Sequence, residues 1–311
     1  MRVVVLGSLM QDLVVRVPRL PVAGESLIGD GFAMFPGGKG GNAAIACARL
    51  GASVHMVGRV GTDAFGDRLI ATLQADGVDC SFVQRDPTNG TGVAIPIVFD
   101  DGGNSILSVP RANMAMTAAD AAAARAVIEG ADVLLVQFEV AMEATLAAMR
   151  MAWRAGVPVL PNAAPIVRYP AEALGLATWL VVNEVEAAAM APGTESDHAG
   201  KAMGLMANGM EAVVITLGAE GAIVASGVGT KVVAPFAVDA VDSVGAGDAF
   251  CAAFAFAMVT AGLGIGGIAE AARFANAAGA LSVTRHGAVP SLPRLEEVQA
   301  LVALPGAGLR H

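Results

Sequence analysis

Apolar positions along this chain fall into two patterns. Residues 1–7 form a short, almost uninterrupted apolar run that predicts a strand buried on both faces. Residues 13–17 and the segment around 26–35 read as short strands interrupted by Pro18, Pro21 and Gly24. A second pair follows at 92–99 and 105–109, joined by the turn sequence Asp100-Asp101-Gly102-Gly103-Asn104. Such strand pairs do not fit a strand-helix alternation, and they predict a small sheet standing off the main body. Elsewhere the alternation is regular. Helices are expected at 38–50 and 63–76, with strands at 54–57, 133–137, 157–160, 179–182 and 212–216. A hairpin at 222–225 and 231–233 precedes helices at 246–260, 268–284 and 295–304. The pattern predicts an α/β fold of three layers, α/β/α, with a mostly parallel central sheet. The whole chain, 1–311, reads as one domain carrying a small β-sheet lid formed by inserted segments at about 11–35 and 91–113.

Composition narrows the partners. Hydrophobic residues make up 55% of the 311 positions and charged ones 15%, which excludes a disordered chain. The net charge of −9 without a basic block argues against nucleic acid, whose backbone is held by clustered Lys and Arg. Cys47, Cys80 and Cys251 are odd in number and lack metal-ligand spacing, so neither a disulfide framework nor a zinc site is expected. The uncharged run 249–269 is long enough to span a bilayer, but Gly262, Gly264, Gly266 and Gly267 break its second half. Two core helices in a cytoplasmic protein, with no membrane partner, are the expectation.

Chemistry concentrates in Val241-Asp242-Ser243-Val244-Gly245-Ala246-Gly247-Asp248-Ala249-Phe250, where a turn of small residues leads into a buried helix. The first amides of a helix lack internal partners, and the dipole adds roughly half a positive charge there. An anion such as phosphate can approach closely at 245–247. Asp248 is either a first-turn carboxylate complementing the dipole or a base that takes a proton from an attacking hydroxyl. A second glycine stretch, Pro36-Gly37-Gly38-Lys39-Gly40-Gly41-Asn42-Ala43, follows the first strand pair. Together, in this order, the two motifs resemble the signatures of the ribokinase (PfkB-type) carbohydrate kinase family, and the likeness runs from Gly7-Ser8 to Pro290-Ser291.

That resemblance implies a ribokinase-like fold and ATP-dependent phosphorylation of a sugar or sugar-like hydroxyl, with ATP, Mg2+ and potassium as cofactors. Asp248 becomes the catalytic base, and the amides of Gly245, Ala246 and Gly247 stabilise the transferred phosphoryl group. Asp12, Gly37, Gly38, Lys39, Asn42 and Glu139 are implied on the sugar side, although Glu139 alone reads equally as a solvated helix-start carboxylate. Asn183 and Glu186, three apart at a strand-helix junction, read as a capping box; the resemblance gives them Mg2+, directly or through water. Thr216, Gly218, Gly221 and Asn276 fall on the nucleotide side, with a core hydrogen bond as the alternative for Asn276. Asp242, carbonyls of Val244, Ser282, Arg285 and Gly287, and the Ser291 hydroxyl are implied for potassium. His286, in the same loop, is set aside. A homodimer through the lid is a further expectation.

Two positions depart from the ribokinase pattern. Met10 stands where ribokinases have a sugar-binding Asn, and a thioether cannot replace the amide's hydrogen bonds. Arg111 replaces a small residue; it suits an acidic group on the substrate, or else meets solvent, Asp100 or Asp101. D-ribose is therefore expected to be a poor substrate. A nucleoside kinase and a 2-keto-3-deoxygluconate-type sugar-acid kinase remain alternatives, and a non-catalytic sugar sensor is the rival from another class. A P-loop kinase is excluded by the lack of a Walker A sequence, and a dinucleotide-dependent dehydrogenase by Ser8-Leu9-Met10 after Gly7.

Overall fold

In the first strand, β1 (Arg2–Leu6), the side chains of Val3 to Leu6 are each exposed by 1% or less, because helices cover both faces of the sheet it starts. A computed structural model describes residues 1–99, 103–165, 170–191, 197–260 and 264–304. Most of the turn expected at Asp100–Asn104, and Gly262, lie outside the described residues.

The strands follow in chain order as β2 (Met10–Arg16), β3 (Gly31–Gly37), β4 (Ser53–Gly61), β5 (Asp79–Asp86), β6 (Gly92–Val98) and β7 (Asn104–Val109). The remaining six are β8 (Val133–Gln137), β9 (Val159–Asn162), β10 (Trp179–Asn183), β11 (Ala212–Thr216), β12 (Ala222–Ser226) and β13 (Gly229–Val233). Nine of them form one sheet in the order β13-β12-β11-β10-β9-β8-β1-β4-β5. Every pairing from β5 to β11 is parallel, and β12 and β13 close the edge as an antiparallel hairpin. The other four form a small sheet, β3-β2-β6-β7.

Alternation along β1 sends Val3 and Val5 to one face and Val4 and Leu6 to the other. The first face is covered by helices that include Lys39–Arg49, Ala246–Thr260 and Ile265–Ser282. The second is covered by Met142–Arg154 and His198–Met206 among others. Three layers result, as the pattern predicts. Register brings the carboxyl ends of β8 to β11 together, with Gln137 beside Asn162 and Asn183 beside Thr216.

Several boundaries shift, with β4 running over Ser53–Gly61 rather than 54–57 and a helix over Ile265–Ser282 rather than 268–284. β2 begins at Met10 rather than 13, β3 runs to Gly37 rather than 35, and β9 occupies 159–162 rather than 157–160. β5 has no counterpart in the expected strands. As the sheet's outermost parallel strand, paired only with β4, it leaves Asp79 and Arg85 exposed. No helix among the described residues is long and apolar enough to cross a membrane.

Candidate active site

Asp12 lies in β2, directly across from Phe35 in β3, and β3 ends at Gly37. A Cβ at Gly37 would overlap the Asp12 carboxylate, so only glycine allows this approach. The helix Lys39–Arg49 starts at once, with Gly38 as its N-cap. Glu139, just past β8, accepts from the Lys39 backbone N–H at 3.2 Å and from the Ser8 hydroxyl. It is thereby tied to the first turn of that helix. One turn further on, Asn42 Nδ2 donates to Asp248 Oδ2 at 2.8 Å. Asn162 Nδ2, from the end of β9, reaches Asp248 Oδ1 at 3.4 Å. The two glycine motifs, far apart in sequence, therefore meet at one carboxylate.

Asp248 is 5% exposed, while Gly247 beside it is open to solvent. A ligand can reach the turn, and the carboxylate sits beneath it. The helix N-terminus suggests a depressed pKa for Asp248, but the opposite holds: burial raises it, against the lowering effects of Lys39 and the Asn42 hydrogen bond. Desolvation outweighs the dipole at a residue this buried. Burial, with the charges of Glu139 and Asp248, pushes Asp12 up to about 7. Burial also raises Glu186, with Asp248 adding to it. Lys39 is raised, chiefly by Asp248 and further by Glu139 and Glu186. One ammonium thus faces a surplus of carboxylates, a charge balance suited to a cation.

Asn183 and Glu186 form the capping box: Asn183 Oδ1 accepts from Glu186 N–H, and Glu186 Oε2 from Asn183 N–H, both at 2.8 Å. The cap still leaves Glu186 close enough to Lys39 and Asp248 to share their field. Among the described residues no three His, Cys, Asp or Glu side chains are arranged to hold a metal ion, so an ion here needs phosphate or water as further ligands. Thr216 Oγ1 donates to Val182 O at 3.4 Å, and Gly218 and Gly221 follow it with φ of 55° and 94°. Asn276 Nδ2 donates to Ala234 O at 3.0 Å, which is the core hydrogen bond.

Around the 245–247 turn, Asp242 accepts from Val244 N–H at 3.0 Å and from Gly287 N–H at 2.9 Å. Ala246 N–H donates to Ser243 O at 3.3 Å. The Ser282 and Ser291 hydroxyls, both buried, donate to Gly279 O and Ala288 O, which leaves their oxygens able to accept. The Arg285 side chain pairs with Glu297, and His286 is exposed. Arg111 turns elsewhere. Its guanidinium lies against Gly90 and donates to Thr91 O at 3.1 Å, near Asp63, whose carboxyl is held low, against burial, first by hydrogen bonds from Thr91 and Gly66 and then by Arg111. Asp100 and Asp101 are outside the described residues.

A family model for pfkB family carbohydrate kinases matches residues 1–295. The chain belongs to this family. Among its relatives the ribokinase of Bacillus subtilis is 37% identical over 299 residues, covering 96% of this chain and 98% of the relative. The deoxyribokinase of Salmonella typhi is 32% identical over 308 residues, covering 98% and 99%. Among solved structures, the ribokinase of Arabidopsis thaliana complexed with ribose and ATP superposes with a TM-score of 0.87 at 31% identity, over 97% of this chain and 98% of that one.

For this carbohydrate kinase the sequence reading missed Asn162 and Ser8. Asn162 carries a signal in retrospect, as an amide ending a buried parallel strand. Ser8 carries none, because a serine after a glycine is ordinary turn chemistry.

Proposed function

We propose that this kinase transfers the γ-phosphoryl group of ATP to a hydroxyl of a pentose or similar sugar held between the small sheet and the carboxyl ends of the parallel strands. The observation that carries the reading is the buried Asn42–Asp248 hydrogen bond, which joins the sugar-side glycine turn to the phosphate-side one. The ribose and ATP bound by the Arabidopsis relative support both substrates.

In this reading Asp12, Gly37, Gly38, Lys39, Asn42 and Glu139 hold the sugar, and the small sheet is its lid. Asp248 takes the hydroxyl proton as that oxygen bonds to the γ-phosphorus. The bond from this phosphorus to the β–γ bridging oxygen breaks, and ADP leaves. The raised pKa makes Asp248 a stronger base than an exposed aspartate. The 245–247 turn and Lys39 stabilise the transferred charge. Asn183 and Glu186 would hold Mg2+, through water or directly; when bound it offsets the charge of the phosphates. Thr216, Gly218 and Gly221 line the nucleotide side, and Asn276, held by its hydrogen bond to Ala234 O, would reach it only through its remaining amide atoms. Asp242, the carbonyls of Val244, Ser282, Arg285 and Gly287, and Ser291 would hold potassium.

Met10 bears on which sugar is used. It is 3% exposed, shares a strand face with Asp12, and its sulfur accepts from the Ser108 hydroxyl at 3.7 Å. A sugar hydroxyl facing that thioether finds no donor, and leaving it unpaired costs about 1–3 kcal/mol. D-ribose is then a poorer substrate than a sugar lacking that hydroxyl, and the deoxyribokinase relative points the same way. Arg111, held at Thr91, gives an acidic substrate no support.

A coupled assay of ATP consumption across pentoses, deoxypentoses, hexoses, sugar acids and nucleosides tests the function, and no turnover on any of them favours the sensor. The best sugar should exceed D-ribose in kcat/KM by about 10–100-fold. Asp248→Asn should lose about 10²–10⁴-fold in kcat while ATP affinity changes little. A variant retaining more than about a tenth of parental kcat overturns the base assignment.

A further inference from the structure

Phe35 and the 245–247 turn both pack close to the Gly287–Ala288 segment. A Cβ on Gly287 would sit 3.2 Å from Phe35 Cδ1, and one on Gly245 would sit 3.1 Å from Ala288 Cα. Both glycines adopt positive φ, 77° and 84°, where a side chain would be strained as well as crowded. Residues 287–288 are therefore in close contact with both the end of β3 and the turn at 245. That segment has little room to yield. Gly287 is tied to Asp242, which also holds Val244, and Arg49 Nη1 donates to Val289 O at 2.7 Å and Leu292 O at 2.9 Å. Arg49 is itself fixed by a bidentate pair with Asp76.

The other end of this contact lies on the acceptor side. Phe35 is directly across from Asp12 on the same face of the small sheet. Its carbonyl accepts from Gln11 Nε2 at 2.5 Å, and Gln11 is fully buried. The placement of Phe35 thus follows the placement of the strand that carries Asp12.

We propose that Phe35 is a positioning residue: it transmits the seating of the small sheet on the sugar, through the Gly287–Ala288 peptide, to the 245–247 turn, so that sugar occupancy completes the phosphate site. This rests on the kinase reading of the site. The physical basis is close packing, since a displaced ring moves a braced peptide rather than compressing it. Sugar and nucleotide binding are then linked, and each raises the affinity of the other by the same factor.

Binding of a non-hydrolysable ATP analogue, measured by calorimetry with and without the best sugar, tests the link in the parent, Phe35→Leu and Phe35→Ala. The parent should show a coupling factor of about 5–50. Phe35→Ala should bring it close to one and lower kcat about tenfold, leaving analogue affinity without sugar within about twofold. Phe35→Leu should fall between, and it carries the test if the alanine variant does not fold. Equal coupling in parent and variants, or no coupling in the parent, overturns the proposal, as does a loss of sugar affinity with coupling intact. A parent that phosphorylates no sugar refutes the kinase reading itself; a parent that does so, with coupling unchanged in the variants, refutes only the role of Phe35.

Discussion

At Asp12 the raised pKa of about 7 sets up a pH dependence of known sign. Only the ionised carboxylate accepts a sugar hydroxyl's proton without giving one in return. kcat/KM for the sugar should rise from pH 6 to 8 and level off above, and Asp12→Asn should flatten this rise at a lower value. Stability runs the other way. The folded pKa lies above the unfolded one near 3.8, so between about pH 4 and 7 the native state holds a proton that the unfolded chain releases. Stability from this group is lost as pH rises through that window. The Tm advantage of Asp12→Asn over the parent should grow from pH 4 to 8, and parallel Tm profiles would contradict this account. Residue identities in the glycine motifs were legible, because small side chains and a following apolar run have few other uses. The sign of the Asp248 shift was not, since the burial that decides it comes from chain distant in sequence.

Among the elements, the loop 285–291 and the turn at 242–247 are held together through the Asp242 carboxylate. Potassium in the proposed site should raise kcat at saturating substrates by fixing this pair, and should leave sugar affinity nearly unchanged. Equal rates in potassium, sodium and tetramethylammonium chloride would remove the site. Buried elements were the most legible: β1, β8, β10 and β11 are apolar runs bounded by clear turns. β5 was not. Its sequence, Asp79-Cys80-Ser81-Phe82-Val83-Gln84-Arg85-Asp86, mixes charge with apolar positions because it ends the parallel run. β2 starts earlier and β3 starts and ends later than expected, since Asp12 and Gly37 interrupt the apolar pattern.

For the whole molecule, the outer face of the small sheet calls for a partner. Register places Phe32, Met34, Leu107 and Val109 on the face opposite Asp12, and Phe32 is 66% and Leu107 57% exposed. A second copy of the chain would supply the same apolar face, which is the homodimer through the lid expected from the sequence. Phe32→Glu should give a monomer in sedimentation velocity, where a dimeric variant would count against this surface. The order of the chain has a further effect during synthesis. Asn42 and Asp248 are 206 residues apart, and the helices that carry them share one core cluster. At about 5–20 residues per second, roughly 10–40 s separate their emergence from the ribosome. Through that interval a nascent chain presents Ala43, Ala46 and Cys47 without their native cover. Docking of Ala246–Thr260 supplies that cover, and the same event delivers the Asp248 carboxylate that we propose as the base.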